Sequence, residues 1–340
     1  MKAVGYVKSL PIEDPRSLMD LELPKPVARG RDILVRVCAV SVNPRDVKSR
    51  MTTQGTDDAP VVLGYDASGV VESVGDDVSL FQPGDEVFYA GVVGRQGSNA
   101  EFQLVDERIV GRKPASVDHA TAASLPLTAL TAYEMLFDRL AIERNAESAP
   151  SLLVLGGAGG VPSCAIQLAR HAGITVVATA SRPESEKWVR ELGAQYVIDH
   201  SDSLDKQVKQ LGIGNIDYVF STHTSARAWG EIARLIAPQG RLGLIDDPEP
   251  LDLRVFKPKC VSIHWEAMFT RALFQTSDMI RQHEILNEIA DMVDAKQLRA
   301  AVSRNLGTIN ASNLRKAHEL IESDKTVGKI VLAEFVGDDI

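Results

Sequence analysis

The sequence predicts an α/β protein in which a doubly wound parallel sheet follows a β-rich segment. Three observations predict it. An apolar strand, Leu152-Leu153-Val154-Leu155, runs straight into a glycine-rich turn, Gly156-Gly157-Ala158-Gly159-Gly160, and then into the helix-like Ser163-Cys164-Ala165-Ile166-Gln167-Leu168-Ala169-Arg170. From about residue 126 onward, short apolar runs alternate with helical segments. Before that point the chain is rich in β-branched runs broken by turn signals.

In the first part, strands are expected at 32–40, 69–74 and 85–89, punctuated by Gly75-Asp76 and Gly84-Asp85. In the second, the apolar runs at 152–155, 174–179, 196–198, 216–220 and 241–245 read as strands with helices between them. Repeated units of that kind build a parallel sheet with helices on both faces. An amphipathic segment at 277–296, a helix at 311–322 and a closing strand at 329–335 complete the pattern.

A chain of 340 residues is long enough for two domains. Its net charge of −9 argues against nucleic acid or an anionic membrane as partner, since both select basic surfaces. No apolar run approaches the roughly eighteen residues of a membrane span, and Met1-Lys2-Ala3-Val4-Gly5-Tyr6 opens no signal-peptide core. Three scattered cysteines, Cys38, Cys164 and Cys260, form no metal-binding spacing and read as free thiols in a cytoplasmic protein.

The turn carries the first chemistry. Gly157-x-Gly159-x-x-Pro162 keeps two of the three glycines of a dinucleotide fingerprint and has proline at the third. Backbone N–H groups of Gly157, Gly159, Gly160 and Val161, with the helix N-terminus behind them, suit a pyrophosphate. Pro162 is tolerable in the first helical turn, where its missing N–H would have no intrahelical partner. At the end of the next strand, an acidic residue would select NADH and a basic one a 2′-phosphate. This chain has Ser181-Arg182 there and Lys187 just beyond, which predicts NADPH. Ser181 and Glu184 also fit a helix capping box that leaves Arg182 free.

The chain resembles the medium-chain dehydrogenase/reductase superfamily. The resemblance runs through Ser41-Val42-Asn43-Pro44-Arg45-Asp46, Leu63-Gly64-Tyr65-Asp66-Ala67-Ser68-Gly69, Pro83-Gly84-Asp85-Glu86-Val87, Leu125-Pro126-Leu127-Thr128, the glycine turn and Gly328-Lys329-Ile330-Val331-Leu332. Thr179-Ala180-Ser181-Arg182-Pro183-Glu184 favours the zinc-type alcohol dehydrogenase-like group of its quinone oxidoreductase branch. The resemblance implies a Rossmann domain at 127–269 and a GroES-like catalytic domain formed by 1–126 with a return at 270–340. It also implies a homodimer.

It further implies site residues. Asn43 would lie beside nicotinamide or substrate, with Asp46 shaping the same loop. Tyr65 would hydrogen-bond a substrate carbonyl, and Lys48, which stands where many relatives carry a tyrosine, is a further candidate donor to a substrate oxygen. Thr128, Tyr133, His200, Ser221, Asp246 and Lys329 match positions near the cofactor. His264, Trp265 and Phe269 would wall a pocket for a flat, conjugated substrate. The zinc ligands of metal-dependent relatives are missing: the Asn43 segment has no cysteine or histidine, Tyr65 replaces a histidine, and residues 90–150 contain no cysteine. Without a Lewis acid to hold an alkoxide, reduction of a quinone or α,β-unsaturated carbonyl compound is favoured over alcohol oxidation. The alternatives are an alcohol or aldehyde dehydrogenase, and a cofactor-binding sensor without turnover.

Overall fold

In the computed structural model, residues 1–323 and 326–335 are described, and the chain divides into two compact units, 1–130 with 269–340 and 131–268. Residues 324–325 and 336–340 of the expected C-terminal return lie outside the described residues.

The first unit begins with β1 (Lys2–Tyr6), β2 (Met19–Glu22), β3 (Asp32–Val42), α1 (Pro44–Thr52), β4 (Val61–Val62) and β5 (Asp66–Val74). It continues with β6 (Glu86–Tyr89), β7 (Phe102–Asp106), β8 (Val110–Arg112), α2 (His119–Ala123) and α3 (Pro126–Tyr133), within which the chain passes to the second unit. There β9 (Ser151–Leu155), α4 (Gly160–His171), β10 (Thr175–Thr179), α5 (Pro183–Glu191), β11 (Tyr196–Ile198) and α6 (Leu204–Gln210) alternate. β12 (Ile216–Ser221), α7 (Ala226–Leu235), β13 (Ile236–Leu244) and β14 (Ser262–Trp265) finish that unit. The return to the first unit supplies α8 (Thr270–Leu273), α9 (Arg281–Asp294), β15 (Val302–Asn305), α10 (Ala311–Glu322) and β16 (Lys329–Ala333).

The second unit is the predicted doubly wound sheet. Its strands lie in the order β11-β10-β9-β12-β13-β14, all parallel. The order reverses between β9 and β12, and ligands of such sheets bind beyond the strand carboxyl ends at that switch point. Every residue of β9 is buried, as expected for a strand covered on both faces. Leu153, Val177, Val219 and Leu242 fill the core with Trp229 and Phe256. Each fully buried aliphatic side chain contributes about 1.5–3 kcal/mol.

The first unit is built on antiparallel pairing, apart from the parallel pair of β15 with β16. β3 is its hub, paired with β5, β7 and β16. Its registers set Ser41 against Asp66 on one side and against Val331 on the other. The sequence therefore meets across β3 from three distant segments.

Two expected elements shift. β13 begins at Ile236, five residues before the apolar run, and pairs with β12 through an irregular register. The capping box at Ser181 and Glu184 is not formed: Arg182 is the N-cap of α5, and Ser185 accepts its backbone N–H at 3.2 Å. Pro183, fixed near φ −65°, sets the first helical residue and moves the cap one position along.

Candidate active site

In the second unit, β9 ends in the glycine turn and α4 starts at Gly160, with Gly159 as N-cap. Gly156 has φ +76°, and a Cβ there would lie 2.6 Å from Thr222 Oγ1, so the turn requires glycine. Its N–H donates to Thr179 Oγ1 at 3.0 Å, which ties the turn to the end of β10. Gly159 differs. A Cβ there meets nothing nearer than Pro162 Cδ at 3.5 Å, so the fold itself tolerates a larger residue. What glycine preserves at this position is open space over the helix N-terminus, the place where a phosphate would rest.

Pro162 is the third residue of α4. The first carbonyl bonded within the helix is that of Gly159, which accepts from the Ser163 N–H at 3.0 Å. Proline therefore forfeits no helical hydrogen bond, as expected for the first turn. Ser163 Oγ accepts from Trp188 Nε1 at 2.9 Å, which fastens α5 to α4.

Of the remaining predicted nucleotide residues of this unit, Ser181, Arg182, His200, Ser221 and Asp246 lie at strand carboxyl ends, and Lys187 lies within α5. Ser181 and Arg182 follow β10, His200 follows the neighbouring β11, and all three are exposed. Lys187 is also exposed and lies 3.9 Å from Glu191. Ser221 ends β12 buried, its hydroxyl 2.8 Å from that of Thr224, which donates to Asp246 at 2.9 Å. This chain of hydrogen bonds joins the ends of β12 and β13. Tyr133 is elsewhere: it is buried, accepts a hydrogen bond from Arg144 and stacks edge-on against Phe137.

The first unit brings Asn43, Asp66 and Lys329 together below its surface. Asp66 is fully buried. One of its oxygens accepts from Ser41 Oγ at 2.7 Å, Asn43 Nδ2 at 2.8 Å and Lys329 Nζ at 2.9 Å. The other accepts the Leu127 N–H at 2.8 Å. Lys329 Nζ also donates to Asn43 Oδ1. Asn43 is thus held inside the fold, and its amide would have to leave a protein partner to reach a substrate. The ammonium of Lys329 is likewise committed to this buried group.

Asp46 locks the two loops that carry these residues. Its carboxylate accepts the Asn43 N–H at 2.8 Å and the Gly64 N–H at 3.1 Å. Burial pushes its pKa up to about 7, with Asp66 adding repulsion and the Asn43 N–H and Lys329 opposing. Gly64, at φ +103°, has Ser98 Oγ where a Cβ would be, 2.4 Å away, and delivers the chain into Tyr65.

Tyr65 Oη and Ser49 Oγ are 2.8 Å apart, and Phe269 lies against the Tyr65 ring with centroids 4.8 Å apart. Both hydroxyl residues line a cavity of about 280 Å³. Lys48 is exposed on α1 and does not line it. Thr128 is buried and donates to the Leu125 carbonyl at 3.0 Å. His264 and Trp265 belong to β14, the edge strand of the second unit, where Trp265 is 56 % exposed.

Sequence reasoning missed Ser49 and the acidic pair Glu134 and Glu266. Residues 134–139 form a π-helical turn; Glu266 is buried, and its carboxylate accepts from Arg139 at 2.7 Å. The four-residue step from Arg45 to Ser49 on a helix was an available signal for Ser49. Nothing local marks the pairing of residues 134 and 266.

Residues 29–115 match the family described as alcohol dehydrogenase GroES-like domain, and residues 160–284 the one described as zinc-binding dehydrogenase. A zinc-type alcohol dehydrogenase-like protein of Staphylococcus aureus (strain MSSA476) is 41 % identical over 98 % of this chain and 99 % of its own length. The mouse NAD(P)H oxidoreductase RTN4IP1, mitochondrial, is 34 % identical over 88 % of this chain and 81 % of its own. Among solved structures, a protein of Rhizobium etli CFN 42 assigned to the zinc-dependent alcohol dehydrogenases superposes with a TM-score of 0.96 at 55 % identity, covering 99 % of both chains. A mycobacterial quinone oxidoreductase superposes with a TM-score of 0.82 at 25 % identity, covering 98 % of this chain and 99 % of its own.

Proposed function

The chain belongs to the zinc-type alcohol dehydrogenase-like group of the medium-chain dehydrogenase/reductase superfamily, and from that premise we propose that it is a zinc-independent, NADPH-dependent reductase of quinones or α,β-unsaturated carbonyl compounds. The donor set around Asp66 carries this reading. Where the resemblance puts a catalytic zinc, this chain has Asn43 and Tyr65, with Asp66 alongside. The cation on Asp66 is the Lys329 ammonium. Catalytic zinc takes imidazole, thiolate and carboxylate ligands in a tetrahedral array. An amide, a phenol and one carboxylate already matched by an ammonium do not fit it. The proposed reaction therefore needs no metal, although relatives carry zinc in their names.

Reducing a conjugated carbonyl places charge on an oxygen, and hydrogen-bond donors suffice to hold it. Tyr65, paired with Ser49 at the cavity, is the donor we assign. Asn43 and Lys329 act behind it, fixing the floor formed by Asp66. NADPH supplies the hydride when bound. The N–H groups of Gly160 and Val161 at the start of α4 would hold its pyrophosphate, since those of Gly157 and Gly159, expected to share that role, donate to the Thr179 and Gly156 carbonyls, and Arg182 would hold its 2′-phosphate. An exposed arginine at the end of β10, with no ion pair among the described residues, supports that choice.

The deciding experiment is NADPH oxidation by the purified protein across a panel of quinones and enones, with zinc quantified on the same sample. Turnover without stoichiometric zinc is expected. One tightly held equivalent of zinc with alcohol-dependent NADP⁺ reduction would make it an alcohol dehydrogenase. Tight NADPH binding with no oxidation would make it a sensor.

Two variants test the cofactor assignment. Arg182→Ala should reduce the preference for NADPH over NADH about tenfold or more, read from the two dissociation constants, because a charge-assisted hydrogen bond is worth about 1.5–3 kcal/mol. An unchanged ratio would remove Arg182 from the site. Gly159→Ala should weaken NADPH binding about tenfold while the melting temperature stays close to wild type, since only an ordinary contact awaits the new methyl in the protein alone.

A further inference from the structure

The cavity beside Tyr65 has a charge pattern that the reaction does not require. In a chain of net charge −9, its lining includes Arg45 and Arg95 and no carboxylate. Arg95 is already matched, donating to both oxygens of Asp32 at 2.9 and 2.8 Å. Arg45 is exposed and makes no ion pair among the described residues. The nearest acid along the helix, Asp46, is buried and turned to the Asn43 and Gly64 N–H groups, so it does not neutralise Arg45 from its own turn.

Position on α1 ties this charge to the hydroxyl pair. Arg45 and Ser49 are four residues apart and therefore share one helix face, one turn or about 5–6 Å from each other. Both line the cavity, and Ser49 bonds Tyr65. Arg45 also lies in the first turn of α1, where the helix adds partial positive charge.

We propose that Arg45 recognises an anionic group on the substrate, so that the compound reduced is an unsaturated oxo acid with its carbonyl and its anion about one helical turn apart. This rests on the reading of the protein as a carbonyl-conjugate reductase. A four-carbon spacing satisfies it: in 4-oxopent-2-enoate the ketone meets Tyr65 and Ser49 while the carboxylate meets Arg45. Reduction adds hydride from NADPH to one alkene carbon and a proton from solvent to the other, giving 4-oxopentanoate and NADP⁺. A phosphate in place of the carboxylate would use the same guanidinium.

Two measurements test the assignment. The first is the ratio of kcat/KM for 4-oxopent-2-enoate to that for its methyl ester, in wild type, Arg45→Gln and Arg45→Lys. The acid should be preferred by wild type, the ratio should fall about tenfold or more in Arg45→Gln, and Arg45→Lys should recover part of it. The second is calorimetric binding of 4-oxopentanoate, alone and in competition with inorganic phosphate. Binding lost in Arg45→Gln supports the site, and competition by phosphate would identify a phosphorylated ligand class. An ester used as well as the acid, or a ratio and binding constant unmoved in Arg45→Gln, overturns the proposal. Absence of turnover with any enone or quinone, with carboxylate binding retained, would instead count against the reductase reading alone.

Discussion

Lys329→Ala is expected to destabilise the first unit by about 3–5 kcal/mol, the cost of leaving a buried carboxylate without its cation. Asp66 and Lys329 are both buried, and the remaining donors to Asp66, from Ser41, Asn43 and Leu127, are neutral. The measurement is urea unfolding followed by a probe of the first unit. A second substitution separates charge from packing. Adding Asp66→Asn to Lys329→Met should recover most of the loss, because a neutral amide keeps hydrogen bonds without a buried charge. Activity should fall in both, since Asn43 loses the partner of its Oδ1. If Lys329→Ala unfolds at the wild-type midpoint, the network does not hold the unit together as described.

The second large effect concerns pH. Burial, and then the neighbouring Glu134, push the Glu266 carboxyl well above its ordinary value of 4.5, with Arg139 pulling the other way. Between that ordinary value and the raised one, the folded protein keeps a proton that the unfolded chain has released. Stability from this group is therefore full in acid and declines as pH rises through the window. The Glu266 contribution should fall from about pH 5 to about pH 8, whereas the buried His318, pushed below its ordinary 6.5, adds an opposite slope in the acid part of that range in any variant. Glu266→Gln keeps a neutral side chain throughout and should flatten that slope, melting about 3–6 °C above wild type at the alkaline end. Asp46, also raised, contributes the same sign in both proteins, so the difference between their melting curves isolates Glu266. Parallel curves would show that the pair holds no proton at neutral pH.

What could be read from the chain divides along the distance between interacting residues. The parallel sheet was legible because each strand, turn and helix announces itself locally. β9, its glycine turn and α4 are consecutive, and Leu152–Leu155 has no polar residue to dilute the signal. Ser181, Arg182 and His200 were readable as strand ends for the same reason. The first unit offered less. The roles of Asn43 and Lys329 depend on β3 pairing with β5 and β16, which sequence pattern does not specify. The resemblance puts both beside cofactor or substrate; the structure shows both bonded to the buried Asp66, a contact no local pattern announces. The start of α5 is not legible locally: Ser181 offers a good cap, yet Pro183 decides where the helix begins.

The ion pair on Asp66 also has a history in time. Lys329 follows Asp66 by 263 residues, and everything in the second unit is made between them. At 5–20 residues per second, a ribosome needs roughly 13–50 s to deliver the lysine after the aspartate. During that interval the second unit, contiguous in the chain, has all its strands and can close. The first unit waits with an acid that has no countercharge. Asp66 is matched last, so a stalled or shortened chain would carry every strand of the second unit while Asp66 still lacked Lys329.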